Sequence, residues 1–195
     1  GRRPTKPKPT GYGEALIVPA GRTGQGMRGG QGLHRVGRRT GGSAGGLLTA
    51  EAIAWFIHEK LPLPGAIGIF CASGDARWGG DSQSFARPFQ ALPPRDDVRA
   101  YFKGIDRSDP LVSPALSPST LKQFPPTLLI TGTRAFEMSA TVNTHRELVK
   151  AGVDADLHMW DGLGHAFFYD PALPESREAF DVMTPFFRDR LKLAR

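Results

Sequence analysis

A lone cysteine, Cys71, is the only thiol in the chain, so no internal disulfide can form and a reducing compartment is expected. Cys71 lies in the apolar run Ala66 to Ala72, which reads as the setting of a buried structural thiol. No apolar stretch approaches the roughly 20 residues that a membrane helix needs, and the first residues hold no secretory apolar core. The expected location is therefore cytoplasmic, with no membrane partner. None of the histidines stands at metal-ligand spacing from another or from Cys71, which predicts no metal site and calls for no other cofactor. No internal repeat is present.

Acidic residues are almost missing from residues 1–40, where Glu14 stands against nine Lys and Arg. That stretch carries +8 of the net +6, and the remaining 155 residues carry −2. The basic character thus belongs to a leader, residues 1–40, dominated by glycine, proline and arginine, in which only Ala15 to Val18 forms an apolar cluster. Such a composition buries too little surface to offset the entropy of ordering its backbone, so a disordered or non-native leader is the favoured expectation. An RNA-binding arm is the competing reading, since Arg/Gly segments contact phosphate. No aromatic residue interleaves the Arg-Gly stretch, so no nucleic-acid partner is expected.

Residues 41–195 have a different texture. Leu47 to Lys60 has helix formers with apolar residues at helical spacing and stops before Pro62. Ala66 to Ala72 and Thr127 to Thr131 are short apolar runs of the kind that form buried strands. Thr141 to Ala151 predicts a helix, and Asp154 to Trp160 a strand with Ala155, Leu157 and Met159 alternating. Asp96 to Lys103 predicts a short helix, and the proline-dotted stretch from Ser108 to Pro126 a connection. Glu175 to Leu191 predicts an amphipathic helix burying Phe180, Met183, Phe186, Phe187 and Leu191. Strands alternating with helices imply an α/β fold whose parallel sheet is flanked by helices.

Two motifs carry chemistry. Gly41-Gly42-Ser43-Ala44-Gly45-Gly46 fits G-x-S-x-G immediately before a helix, the pattern of a strained strand-to-helix turn that presents a serine oxygen. Ser43 is the candidate nucleophile, and the N–H of Ala44 a candidate oxyanion donor at a helix N-terminus. Downstream, Asp161-Gly162-Leu163-Gly164-His165-Ala166-Phe167 follows the last predicted strand. A histidine in a glycine-bounded loop can turn its ring toward a serine, so His165 is the candidate general base.

GGSAGGLL at 41–48, SDPLVSP at 108–114, PPTLLITGTRAF at 125–136 and WDGLGHAF at 160–167 occur in this order. Through them the chain resembles the hormone-sensitive-lipase-like branch of the α/β-hydrolases, bacterial carboxylesterases and acetyl esterases among them. The resemblance implies the C-terminal portion of an α/β-hydrolase fold, with N-terminal strands missing, and a Ser-Asp-His triad that hydrolyses small carboxylic esters through an acyl-enzyme.

Three departures bear on that expectation. Gly42 stands where the family's elbow usually has aspartate, and no His-Gly-Gly-Gly run precedes the elbow. The family's acid position falls on Ala135. Ala135 is therefore expected beyond the imidazole, with no carboxylate bonded to His165. Glu137, two residues later, is expected as a solvated loop residue, its service as a substitute acid being the less favoured case. Losing an acid and an oxyanion donor costs about 10⁴ and 10²–10³ in turnover respectively. The two readings are thus an ester hydrolase and a truncated, catalytically impaired hydrolase-fold protein with at most a binding role. Missing early strands would also expose a sheet edge and invite self-association.

Overall fold

The computed structural model describes residues 18–19, 42–86 and 100–191. The basic leader lies outside these residues except for Val18–Pro19, which forms a short strand, β1. Helix α1 follows at Ala44–His58, then strand β2 at Pro64–Phe70 and a short helix α2 at Ser82–Phe85. A 3₁₀ turn at Pro114–Leu116 and a one-turn helix α3 at Pro118–Leu121 break up the proline-rich connection. Strand β3 is Thr127–Gly132, helix α4 Met138–Lys150, strand β4 Ala155–Trp160, and helix α5 Pro174–Leu191. Half of the short helix expected over Asp96 to Lys103 lies outside the described residues, and Ala100 and Tyr101 are helical.

The sheet runs β1-β2-β3-β4. β2, β3 and β4 are parallel, with Ile67 opposite Thr127 and Thr127 opposite Ala155. β1 pairs antiparallel with the start of β2, so two residues of the stretch expected to stand apart from the body join its sheet. Gly42 makes a parallel bridge to Phe70 at the other end of the same β2 edge. Among the described residues β4 ends the sheet on the opposite side.

Alternate residues of the buried strands feed two cores. Ile67, Ile69 and Leu129 pack against Ala50 and Ile53 of α1 and Leu148 of α4. Ala66, Phe70, Leu128 and Ile130 face Ala179, Met183 and Phe186 of α5. Helices on both faces explain why β2 and β3 read as continuous apolar runs. β4, at the edge, is only half-buried, and its Met159 is exposed. Phe180, expected on the buried side of α5, is 45% exposed, because the buried positions of α5 are Ser176, Ala179, Met183 and Phe186. The correction follows from counting apolar residues without knowing which face the sheet covers.

Helix ends are set locally. Beyond α1, Lys60 adopts a left-handed φ of 56°. Leu61 N–H then donates to Phe56 O and Lys60 N–H to Ile57 O, the paired bonds of a Schellman stop. α4 ends in the same way, with Gly152 at φ 82° and Val153 N–H on Leu148 O. Each stop turns the chain back promptly into the next parallel strand.

Candidate active site

Ser43 sits at the turn that opens α1, as expected, with φ 61° and ψ −121°. A non-glycine residue there costs about 1–3 kcal/mol and must be held by its surroundings. The hold is visible: Ser43 N–H donates to Phe70 O at 3.0 Å, and Gly46 N–H donates back to Ser43 O at 3.0 Å. Gly46 is required by close approach, since a Cβ there would lie 2.5 Å from Ala72 Cβ. Ala44 occupies the first helical position, where no helix carbonyl is available to its N–H. At Gly42, the space a Cβ would take is 2.6 Å from the Tyr169 hydroxyl. Tyr169 thus crowds the place where related elbows carry an aspartate.

The turn after β3 and the loop after β4 are built as one unit. A Cβ on Gly132 would lie 2.1 Å from Leu163 O, so only glycine lets the second loop rest on the first. Arg134 N–H donates to Leu163 O at 3.0 Å, Gly162 N–H to Thr133 Oγ1 at 2.8 Å, and Thr133 Oγ1 to Asp161 Oδ1 at 3.1 Å. From the other side, Ser139 N–H donates to Ser82 Oγ, and Ser82 Oγ donates to Phe136 O. These bonds leave residues 132–139 little freedom.

Within that frame a carboxylate meets His165 where none was favoured. Glu137 is 1% exposed, and its Oε2 lies 2.9 Å from Nδ1 of His165. Its Oε1 accepts from Thr131 Oγ1 at 3.3 Å. The expectation of a solvated Glu137 and an imidazole without a carboxylate is therefore corrected. Ala135 is 0% exposed and sits inside a turn, its N–H on Gly132 O at 3.1 Å, followed by Met138 N–H on Ala135 O. This tight winding carries the chain past Ala135 and delivers the side chain two residues later to the histidine. Because a carboxylate only accepts, Nδ1 carries the shared proton and Nε2 becomes the accepting nitrogen.

His165 lies in the loop after β4, as expected, with one ring face covered by Phe136 at a centroid distance of 4.7 Å. Trp78 packs on Phe136 at 5.7 Å. Sulfur from Cys71, the residue after β2, accepts the Ala166 N–H at 3.2 Å. Donor atoms of Cys71, Glu137 and His165 all lie within 4.8 Å of one another, the compact His/Cys/Asp/Glu group found among the described residues. Burial, and secondarily the negative Glu137, push the Cys71 thiol well up, so it stays protonated.

Ser43 and His165 thereby gather at one end of the parallel sheet. Phe70 O holds Ser43, Cys71 adjoins Phe70, and Cys71 holds the residue after His165. Sequence reasoning missed Cys71, Phe136 and Tyr169. Cys71 ends a buried strand at the edge where the motif-bearing loops meet, and that position was the available signal.

Residues 40–169 match a family model described as alpha/beta hydrolase fold. The chain is similar to an acetyl-hydrolase of Streptomyces hygroscopicus, 29% identical over 153 residues, covering 76% of this chain and 50% of the relative. A crystallised esterase is 36% identical with a TM-score of 0.66, over 78% of this chain and 47% of the other. An esterase from the bacterial hormone-sensitive lipase family is 27% identical with a TM-score of 0.68, over 76% and 51%. The chain thus spans about half the length of these relatives. Among the described residues no helix is long and apolar enough to cross a membrane.

Proposed function

This chain belongs to the α/β-hydrolase fold family, and on that premise we propose that it is a serine hydrolase cleaving small carboxylic esters through an acyl-enzyme. Residues 41–195 would form its catalytic portion. Ser43 Oγ attacks the ester carbonyl while His165 Nε2 takes its proton. Ala44 N–H, at the start of α1, receives the negative charge that develops on the carbonyl oxygen. The imidazolium returns its proton to the departing alcohol, and a water activated by the same nitrogen releases the acid. Glu137 holds the Nδ1–H tautomer and offsets the imidazolium charge.

The observation that carries the reading is the 2.9 Å bond between the buried Glu137 carboxylate and His165. A buried carboxylate is costly unless it is paired, and His165 is the group that pairs with it. The second reading is a hydrolase-fold protein with a binding role only. A buried, unpaired Cys71 supports a cytoplasmic setting. Self-association through the edge that missing early strands would expose would use the β2 side of the sheet, where among the described residues Val18–Pro19 and Gly42 pair with β2.

Fluorophosphonate labelling together with hydrolysis of a short activated ester tests the proposal. Labelling should occur, vanish in Ser43→Ala, and be strongly slowed in Glu137→Gln, with turnover lowered about 10³–10⁴-fold in that variant. A parent protein that neither labels nor turns over ester would favour the binding reading.

A further inference from the structure

Two consecutive residues, Phe70 and Cys71, hold both halves of the site. Along a strand, neighbours point to opposite faces, yet Phe70 and Cys71 belong to the same buried cluster. The cause is Cys71 itself, which takes a left-handed φ of 47° and breaks the alternation. Its N–H is anchored on Ile130 O at 2.7 Å, so the turn is fixed at the level of the sheet. Opposite it, Ala166 is also left-handed at φ 59°, and its N–H reaches Cys71 Sγ. A strained residue on each side of one N–H···S bond makes plain filling of space a poor account of the thiol.

Glu137 supplies the need. A fully buried carboxylate accepts as many as four hydrogen bonds and is costly to leave short of donors. The Thr131 hydroxyl and the His165 Nδ1 account for two of them. The thiol sulfur lies within 4.8 Å of ligand atoms of both the carboxylate and the imidazole. Its sulfur lone pair already takes Ala166 N–H, so its single proton is free to be given to the carboxylate.

We infer that Cys71 is a positioning residue for the acid–base pair, donating its S–H to Glu137 while its sulfur anchors the residue that follows His165. It touches no reacting atom; it fixes the carboxylate that orients the ring. The inference deepens the esterase reading and rests on it for its catalytic consequence, although the hydrogen bond itself can be read without turnover.

The test compares the parent chain with Cys71→Ala, Cys71→Ser and Cys71→Gly. Glycine tolerates the left-handed φ and so removes the donor without a backbone penalty. The first readout is the proton NMR signal of the His165 Nδ1–H, assigned by its loss in Glu137→Gln. Alanine and glycine should move that signal and shorten its exchange lifetime several-fold, while serine, which keeps a donor, should restore it. The second readout is hydrolysis of a short p-nitrophenyl ester. Alanine and glycine should lower kcat about 10-fold with KM within about 2-fold, the loss expected for one buried hydrogen bond to a charged group. Serine should recover most of kcat. An unmoved Nδ1–H signal in alanine and glycine overturns the inference, as does a serine variant no better than alanine. If the parent neither hydrolyses ester nor labels with fluorophosphonate while the signal still responds, the ester reading fails and the positioning role stands.

Discussion

Replacing Glu51 with glutamine isolates a single buried charge on the helix that carries the candidate nucleophile. Glu51 lies on α1, its Oε2 accepting from the Tyr101 hydroxyl at 2.9 Å and its Oε1 buried without a partner. Burial, opposed in part by the Tyr101 bond, pushes its carboxyl from 4.5 up to about 7. Folded Glu51 therefore keeps its proton at pH values where the unfolded chain has released it. Between those two values the native state binds one more proton, so stability falls by about 1.4 kcal/mol per pH unit as pH rises. The stabilisation is complete below the unfolded value and is gone once pH has passed about 7. A rise of that size amounts to about 3 kcal/mol at most, and the partial exposure of the side chain brings it nearer 2. Glutamine keeps an acceptor for Tyr101 and does not titrate. Urea unfolding followed by tryptophan fluorescence at pH 5 and pH 8.5 gives the comparison. The variant should gain about 2 kcal/mol over the parent at pH 8.5 and little or nothing at pH 5. Equal differences at the two pH values would refute the argument, because every other titrating group is common to both proteins.

Other outcomes follow from close contacts. Gly132→Ala should drive a methyl group into Leu163 O and separate the two loops, lowering stability by about 2–4 kcal/mol in thermal unfolding and abolishing fluorophosphonate labelling. Ala135→Asp, which the sequence alone would suggest as a repair, should fail: the site is fully buried and Glu137 already holds Nδ1, so unfolding should show a loss of about 2 kcal/mol or more with no gain in turnover. Gly42→Asp should be tolerated poorly beside the Tyr169 hydroxyl and better in combination with Tyr169→Ala, a coupling readable as a double-mutant cycle in stability.

Much of the architecture was legible because buried parallel strands need uninterrupted apolar residues. Ala66 to Ala72 and Thr127 to Thr131 show that need directly, and β2 and β3 lie there within two residues. Ser43 and His165 were legible for a different reason: glycines on either side mark turns that a regular element could not accommodate. The acid was not. Counting from the end of β3 reaches Ala135, but two successive turns, closed by Gly132 O and Ala135 O, shorten the path and advance the useful position to Glu137. Nothing in residue type distinguishes those turns from an extended loop. Phe180 was misplaced for want of the third dimension, since its exposure depends on which face of the helix the sheet receives.

The loop pair joined at Gly132 also bears on how the site comes together. Glu137 and His165 are 28 residues apart and belong to one strand-helix-strand unit, whereas the bond between Cys71 and Ala166 spans 95. Closing the longer loop costs about 1 kcal/mol more in chain entropy. The contact between Glu137 and His165 is thus made by near neighbours in sequence, and Ser43, the proposed nucleophile, is tied to it only through the longer closure.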